Sequence, residues 1–390
     1  MNTPLSGERT DAVPRHGREA EGYYKPTRRL DRPAPSAGDL TALAQRIKDW
    51  GRELGFQQVG IATIDLAEDE ARLLAWLDQG RQGEMDYMAR HGVKRARPAE
   101  LVPGTLRVVS ARMDYLPEVQ SRIRERLADP ASAFVSRYAL GRDYHKILRN
   151  RLQHLAERIA AEIGPFGHRA FVDSAPVLEK ALAQKAGLGW IGKHTNLIDT
   201  RAGSWFFLGE LFVDLPLPPD RPAINHCGRC RACLDACPTG AILAPYELDA
   251  RLCISYLTIE LKGPIPEPLR PLIGNRVYGC DDCLLACPWN RFARLVHEPD
   301  FQPRQGLEAS TLIALFSWDE AEFLTRAEGS AIRRVGHLRW LRNLAVALGN
   351  APSSPAAIAA LAARSDHASE LVREHVAWAL ARQRRSRCSR

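Results

Sequence analysis

The spacing of hydrophobic positions changes along the chain, and each change predicts a different kind of structure. Leu40, Leu43, Ile47, Trp50 and Leu54 share one face of a helix over about 40–54, with Asp39 placed to cap it and Gly55 to end it. The run VGIATI (59–64) reads as a buried strand, and LRVVSA (106–111), HRAFVD (168–173) and SWFFLGELFVDL (204–215) read as three more. Amphipathic helices lie between them, notably over 145–163. Alternating helix and strand predict an α/β domain over 39–220, closed by the Pro-rich linker LPLPPDRP (215–222). Over 221–300 cysteines replace periodicity. Beyond 301 the strong patterns are helical: Ile332, Val335, Leu338, Leu341, Ala345 and Leu348 recur at helical spacing and stop at Gly349-Asn350, an expected C-terminal cap. Further helices over about 355–364 and 370–384 predict a HEAT-like repeat across 301–390. Residues 1–38, with five Pro, many charges and no period, predict a disordered extension.

Composition excludes little by itself. With 45% hydrophobic and 26% charged residues the chain reads as an ordinary soluble protein, and no apolar run is long enough to cross a bilayer. The first residues lack the apolar core of a secretory signal, so a cytoplasmic location and no membrane partner are expected. Charge is more informative. The net +8 is concentrated in residues 331–390, which hold eleven Arg, no Lys and three acidic residues. Such an excess favours a polyanionic partner, although a solvated helical face would show the same pattern.

The cysteines carry the chemistry. Residues 227–238, CGRCRACLDACP, place Cys227, Cys230, Cys233 and Cys237 in the C-x2-C-x2-C-x3-C-P spacing of bacterial ferredoxins. Three thiolates on so tight a loop hold three corners of a cubane, and the fourth must serve a second cluster. The run CDDCLLACP (280–288) supplies Cys280, Cys283 and Cys287, but Val277 stands where a further cysteine would complete it. Cys253 makes good the deficit. One 4Fe–4S cluster then takes Cys227, Cys230, Cys233 and Cys287; the other takes Cys237, Cys253, Cys280 and Cys283. Paired four-cysteine zinc sites are the alternative, but they leave the two C-x3-C-P endings unexplained. Cys388 is left over as a free thiol.

A ferredoxin alone needs neither a preceding domain nor a helical tail. The motifs RYALGRDYHK (137–146), FVDSAPVLEKALAQKAGLGWIGKHTNLI (171–198), CPWN (287–290) and IRRVGHLRWLRNLAVALGN (332–350) resemble those of the epoxyqueuosine reductase family. The resemblance runs from about residue 40 to the C-terminus. It implies a nitroreductase-like α/β (α+β) domain that binds cobalamin, a two-cluster ferredoxin module and a helical domain. It also implies reduction of an epoxide to an alkene, with loss of water, on a modified base in the anticodon loop of tRNA. An electron donor such as a flavodoxin or ferredoxin system is expected, and a monomer.

Departure of the epoxide oxygen needs a general acid, and the resemblance points to Asp173. Apolar neighbours in FVDSAP predict partial burial that favours its protonated form; a helix cap is the rival role for this residue. Asp143, Tyr144 and His145 are implied to line the cofactor and substrate pocket, with Arg95, Ser136 and Asp281 as further candidates. In GLGWIGKHTN (187–196), three glycines would let the loop approach a bulky cofactor, and Lys193, His194 and Asn196 would contact it. For RNA the candidates are Lys262, Arg333, Arg334, Arg339, Arg342 and Asn343. A small-molecule cobalamin reductase and a nucleic-acid adaptor remain the rival readings.

Overall fold

Four strands pair into one sheet: β1 (Gln58–Ala62), β2 (Arg107–Asp114), β3 (His168–Phe171) and β4 (Phe206–Val213), in the order β1-β2-β4-β3. The structure is a computed structural model that describes residues 36–388; the expected extension up to residue 35 and the side chain of Cys388 lie outside the described residues. Each strand falls within two or three residues of its expected place. Their pairing differs from the expected alternation, because every neighbour in the sheet is antiparallel. The domain is therefore a mixed α and β assembly rather than a series of parallel crossovers.

Three helices cover this sheet: α1 (Ala37–Glu53), α2 (Tyr144–Ile163) and α3 (Glu179–Lys185). All eight residues of β4 are buried, which explains its nearly continuous apolar run. Phe207, Leu211 and Val213 pack towards Leu43 and Ile47 of α1 and Leu148, Leu152 and Leu155 of α2. Phe206, Leu208 and Phe212 point the other way, to Ala181 and Leu182 of α3. Glu210 shares that second face and is fully buried there. At α1 the cap is Ser36, not Asp39; Asp39 sits three residues in and completes a reciprocal capping box, so residues 36–38 belong to this domain.

The cysteine segment is tied to the sheet domain by contacts that periodicity did not reveal. Arg276–Tyr278 pairs in parallel with Phe134–Val135. Val277, which occupies the place of the absent cysteine, is fully buried and packs with Val135 and Leu315 in an apolar core. Gly203 supplies a second tie. Its φ of +63° and missing Cβ admit the side chain of Asn290, whose Oδ1 would lie 2.1 Å from an added Cβ. Asn290 Oδ1 accepts a 2.6 Å bond from the Ser204 amide, and its Nδ2 donates to the Leu284 carbonyl.

The C-terminal helices are α4 (Gly336–Asn350), α5 (Pro355–Ala362) and α6 (Glu370–Cys388). The expected long helix from Ile332 breaks at Gly336, where φ is +71°, leaving Ala331–Val335 as a separate helical turn. Gly349 is no cap; it lies inside α4, where an added Cβ would meet Trp378 at 2.6 Å.

Arg342, expected to face RNA, is fully buried. Its guanidinium donates to the carbonyls of Leu257, Leu261 and Gly263 and to Asn343 Oδ1. Asn343, also buried, donates to the carbonyls of Thr258 and Val277. A guanidinium with all its donors spent on protein has none left for phosphate. These two residues fasten the helical tail to the cysteine segment. Arg342→Ala strands several buried carbonyls and should cost roughly 3 kcal/mol or more. A clearly lowered thermal unfolding midpoint is the expected result; an unchanged midpoint would return Arg342 to the surface role.

Candidate active site

The eight cysteines gather into two sets of four. Cys227, Cys230, Cys233 and Cys287 line one small pocket, together with His194 and Trp289. Cys237, Cys253, Cys280 and Cys283 line the wall of a larger cavity of about 380 Å³. Each run thus contributes to both sets. Two N–H donors reach the sulfurs: the Ala241 amide donates to Cys237 Sγ at 3.3 Å, and Trp190 Nε1 to Cys227 Sγ at 3.4 Å. Four thiols per set, drawn crosswise from two ferredoxin-like runs, fit two 4Fe–4S clusters.

Across the larger cavity from the second set stands Asp173. Strand β3 ends at Phe171, and Asp173 follows in a turn with φ of +45°, a conformation Asp tolerates better than most residues. Helix α3 begins only at Glu179 with Leu178 at its cap position, so Asp173 caps no helix. Its Oδ2 accepts bonds from the Tyr144 hydroxyl and, at 3.0 Å, from His145 Nε2. His145 Nδ1 lies 2.7 Å from Asp143 Oδ1, and Arg334 donates to Asp143 Oδ2 at 2.5 Å. Arg334, Asp143, His145 and Asp173 thus form one chain of alternating charge, ending at the cavity.

This chain corrects the expected protonation of Asp173. Burial pushes its carboxyl up, but the bonds from His145 and Tyr144 outweigh burial and hold it below the ordinary carboxylate range. Burial lowers His145, yet hydrogen bonds to Asp143 and Asp173 outweigh that and raise it above the ordinary 6.5. Asp143, despite burial, is held low by His145 and Arg334. Tyr144 is pushed far up by burial and by Asp173, so its hydroxyl remains a donor; its ring stacks on Phe207 at 4.0 Å. Of this pair, His145 is the group whose surroundings favour its protonated form and Asp173 the one whose surroundings favour its charged form.

The remaining candidates divide. Ser136 Oγ donates to Asp281 Oδ1 at 2.6 Å, and both line the cavity beside Cys280 and Cys283. Asn196 lines it too and accepts a bond from Lys180. His194 is buried between the two cysteine pockets, and burial drives its imidazole down to about 4. Arg95 lines an adjoining cavity of about 440 Å³ that shares Asp173, Glu179 and Lys180 with the first. There it donates to the carbonyls of Tyr87 and Ala175, holding the loop after Asp173.

Lys193 is placed elsewhere: its Nζ donates to the carbonyls of Gly228 and Cys230, securing the first cysteine loop. The glycines of 187–192 also serve packing, since an added Cβ at Gly189 or Gly192 would strike Ile198. Arg339 spends its donors on the carbonyls of Val335, Ile259 and Arg334. Arg333 and Lys262 are exposed, with no ion pair among the described residues.

Glu179 was missed. It follows Leu178 in the quoted motif but gave no local signal, because a Glu at a helix start is ordinary. In the structure it lines both cavities and accepts the Asp173 amide at 3.1 Å. Burial and the nearby Asp173 charge push its carboxyl up to about 8. Glu210 lies behind it in the sheet; burial pushes its carboxyl well above the ordinary range, and neither oxygen has a hydrogen-bond partner among the described residues.

Comparison with known proteins agrees with this geometry. Residues 95–174 match the model described as epoxyqueuosine reductase QueG, DUF1730, and residues 226–290 match a 4Fe-4S double cluster binding domain. The epoxyqueuosine reductase of Pseudomonas aeruginosa is 67% identical over 349 residues, covering 89% of this chain and 96% of the relative. That of Escherichia coli K12 is 61% identical, covering 90% and 92%. Among solved structures, an epoxyqueuosine reductase with an epoxyqueuosine-modified tRNA-Tyr stem loop superposes with a TM-score of 0.80 at 27% identity, covering 88% of this chain and 90% of that one. One from Bacillus subtilis, with an aspartate-bearing catalytic loop swung out of the active site, gives 0.78 at 26% identity over 88% and 90%. The match spans the Asp173 loop, the double-cluster module and nearly the whole length of the relatives, and the chain belongs to the epoxyqueuosine reductase family.

Proposed function

We propose that this chain reduces epoxyqueuosine to queuosine at the wobble position of the tRNA anticodon loop, using two 4Fe–4S clusters and cobalamin. One observation carries the reading: a single cavity is lined both by the second cysteine set and by Asp173, whose carboxylate bonds His145. Removing an epoxide oxygen as water consumes two electrons and two protons, and here both supplies face the same space. The two adjoining cavities, about 380 and 440 Å³, meet at Asp173, Glu179 and Lys180, so cofactor and extruded base would be brought together beside that aspartate. Ser136, Asn196 and the backbone around Thr195 would hold cobalamin by hydrogen bonds. When bound, it would supply a metal that accepts electrons singly and offers them to the substrate carbon.

The chain's own residues manage the proton. His145 Nε2 passes a proton along the 3.0 Å bond to Asp173, and Asp173 hands it to the departing oxygen. Asp143 keeps His145 oriented and basic enough to hold the proton, and Arg334 fixes Asp143 in turn. Glu179 anchors the Asp173 amide and so sets the height of the carboxyl in the cavity. Arg333 and Lys262, with the exposed edge of Arg334, form the remaining basic footprint for RNA. The sheet covered by helices on both faces supports a nitroreductase-like plan over 39–220, and α4 to α6 support a HEAT-like unit over 301–390.

Three outcomes test this reading. Asp173→Asn keeps size and hydrogen bonding but cannot deliver the proton, so single-turnover reduction should fall roughly 100- to 10,000-fold with cofactors bound. Near-normal turnover would remove Asp173 from proton delivery. The wild-type rate should hold while His145 is protonated and fall as pH rises through its raised pKa. Asp143→Asn removes a bond that raises that pKa, so the fall should begin at lower pH; an unmoved profile would contradict the proton path. Cys253→Ser should abolish the second cluster's paramagnetic signal and leave the first, because Cys253 stands only in the second set. Two unchanged signals would break the assignment.

A further inference from the structure

The first cysteine set meets solvent in a way the second does not. Cys230 is the one exposed thiol among the eight described, and its set borders a pocket that Asp173 does not line. The second set lines the cavity that holds Asp173, and the first set does not. Electrons from outside therefore have their entrance at Cys230.

The surface around that entrance has a consistent character. Arg229 and Arg231 flank Cys230 and are both exposed. Exposed His226 lies 5.8 Å, ring centre to ring centre, from Trp289, which lies 5.9 Å from Phe292. The guanidinium of exposed Arg291 covers Phe292 at 4.6 Å, and Phe292 itself is 41% exposed. Arg231 has a loose partner in Asp235 at 3.5 Å; Arg229 and Arg291 have no ion pair among the described residues. A basic rim around an aromatic strip and an accessible cluster ligand suits a brief encounter between redox proteins.

We propose that this face, centred on Cys230 and framed by Arg229, Arg231, Arg291 and Phe292, docks an acidic single-electron carrier protein. The proposal rests on the reading of the two cysteine sets as 4Fe–4S clusters. Each encounter oxidises the carrier by one electron and reduces the first cluster by one. Two encounters supply the two electrons that, with two protons, release the epoxide oxygen as water. RNA would also be drawn to arginines and aromatic rings, but the base must reach Asp173, and this face surrounds the cluster set away from that residue.

The test uses the cluster-loaded full chain carrying Arg229→Glu, Arg231→Glu and Arg291→Glu. The probes are reduced flavodoxin, an acidic one-electron carrier, and photoreduced deazaflavin, a small reductant that needs no docking face. Stopped-flow bleaching of cluster absorbance by flavodoxin should slow by about 10- to 1,000-fold at low salt and lose its salt dependence. Reduction by deazaflavin and affinity for tRNA should stay as in the parent. Unchanged bleaching by flavodoxin with intact clusters would overturn the proposal. So would a comparable loss of tRNA affinity, which would assign the face to RNA. If the triple variant assembles no clusters, Arg291→Glu alone, four residues beyond Cys287, carries the same test with a smaller expected loss. Absence of iron and sulfide from the parent protein would instead strike the cluster reading itself, a distinct failure.

Discussion

A loop spaced C-x2-C-x2-C closes three corners of a cubane and no more, so neither cysteine run can complete a site alone. That constraint organises the molecule. Cys287 crosses to join Cys227, Cys230 and Cys233, while Cys237 crosses to join Cys253, Cys280 and Cys283. The exchange holds the two runs face to face and puts the second set against the sheet domain. The rest of the docking follows: Val277 gives up a ligand position to become core, its strand pairs with Phe134–Val135, and Asn290 locks onto Gly203. The cavity exists because these contacts leave the second set facing Asp173.

On the opposite wall the controlling effect is electrostatic. An isolated buried carboxyl would sit neutral, as Glu210 does, but Asp173 is drawn into a chain whose charges alternate from Arg334 to the cavity. Each link orients the next, and the bonds from His145 to Asp143 and Asp173 favour the protonated form of the imidazole. The chain crosses domains: Arg334 comes from the turn before α4, and Asp143 from the start of α2. The tail that Arg342 fastens to the cysteine segment therefore also positions Asp143, and through it His145 and Asp173.

Much of this was legible in the residues. The cysteine spacing led to the two groups of four thiols that the structure brings together, and strand and helix periods placed most of the sheet domain. What escaped has physical reasons. A period of two marks a strand but not its direction, so the antiparallel pairing was invisible. Arg342 and Asn343 looked like surface residues because such side chains are seldom buried, and only distant carbonyls reveal why these are. Gly349 and Gly189 looked like a cap and a cofactor contact, but they are small because another segment presses on them. Burial alone suggested a protonated Asp173; the answer depended on His145, 28 positions earlier in the chain, and on the imidazole's own partners.

The central claim is that electrons from the clusters and a proton from Asp173 meet on one substrate epoxide. It is tested most directly by incubating anaerobically reduced, cobalamin-supplied protein with tRNA bearing epoxyqueuosine, then digesting the RNA and weighing its nucleosides. The account predicts a nucleoside lighter by one oxygen atom, formed only when cobalamin is present. An epoxide left intact by protein carrying both clusters and cobalamin would contradict it, as would equal conversion without cobalamin.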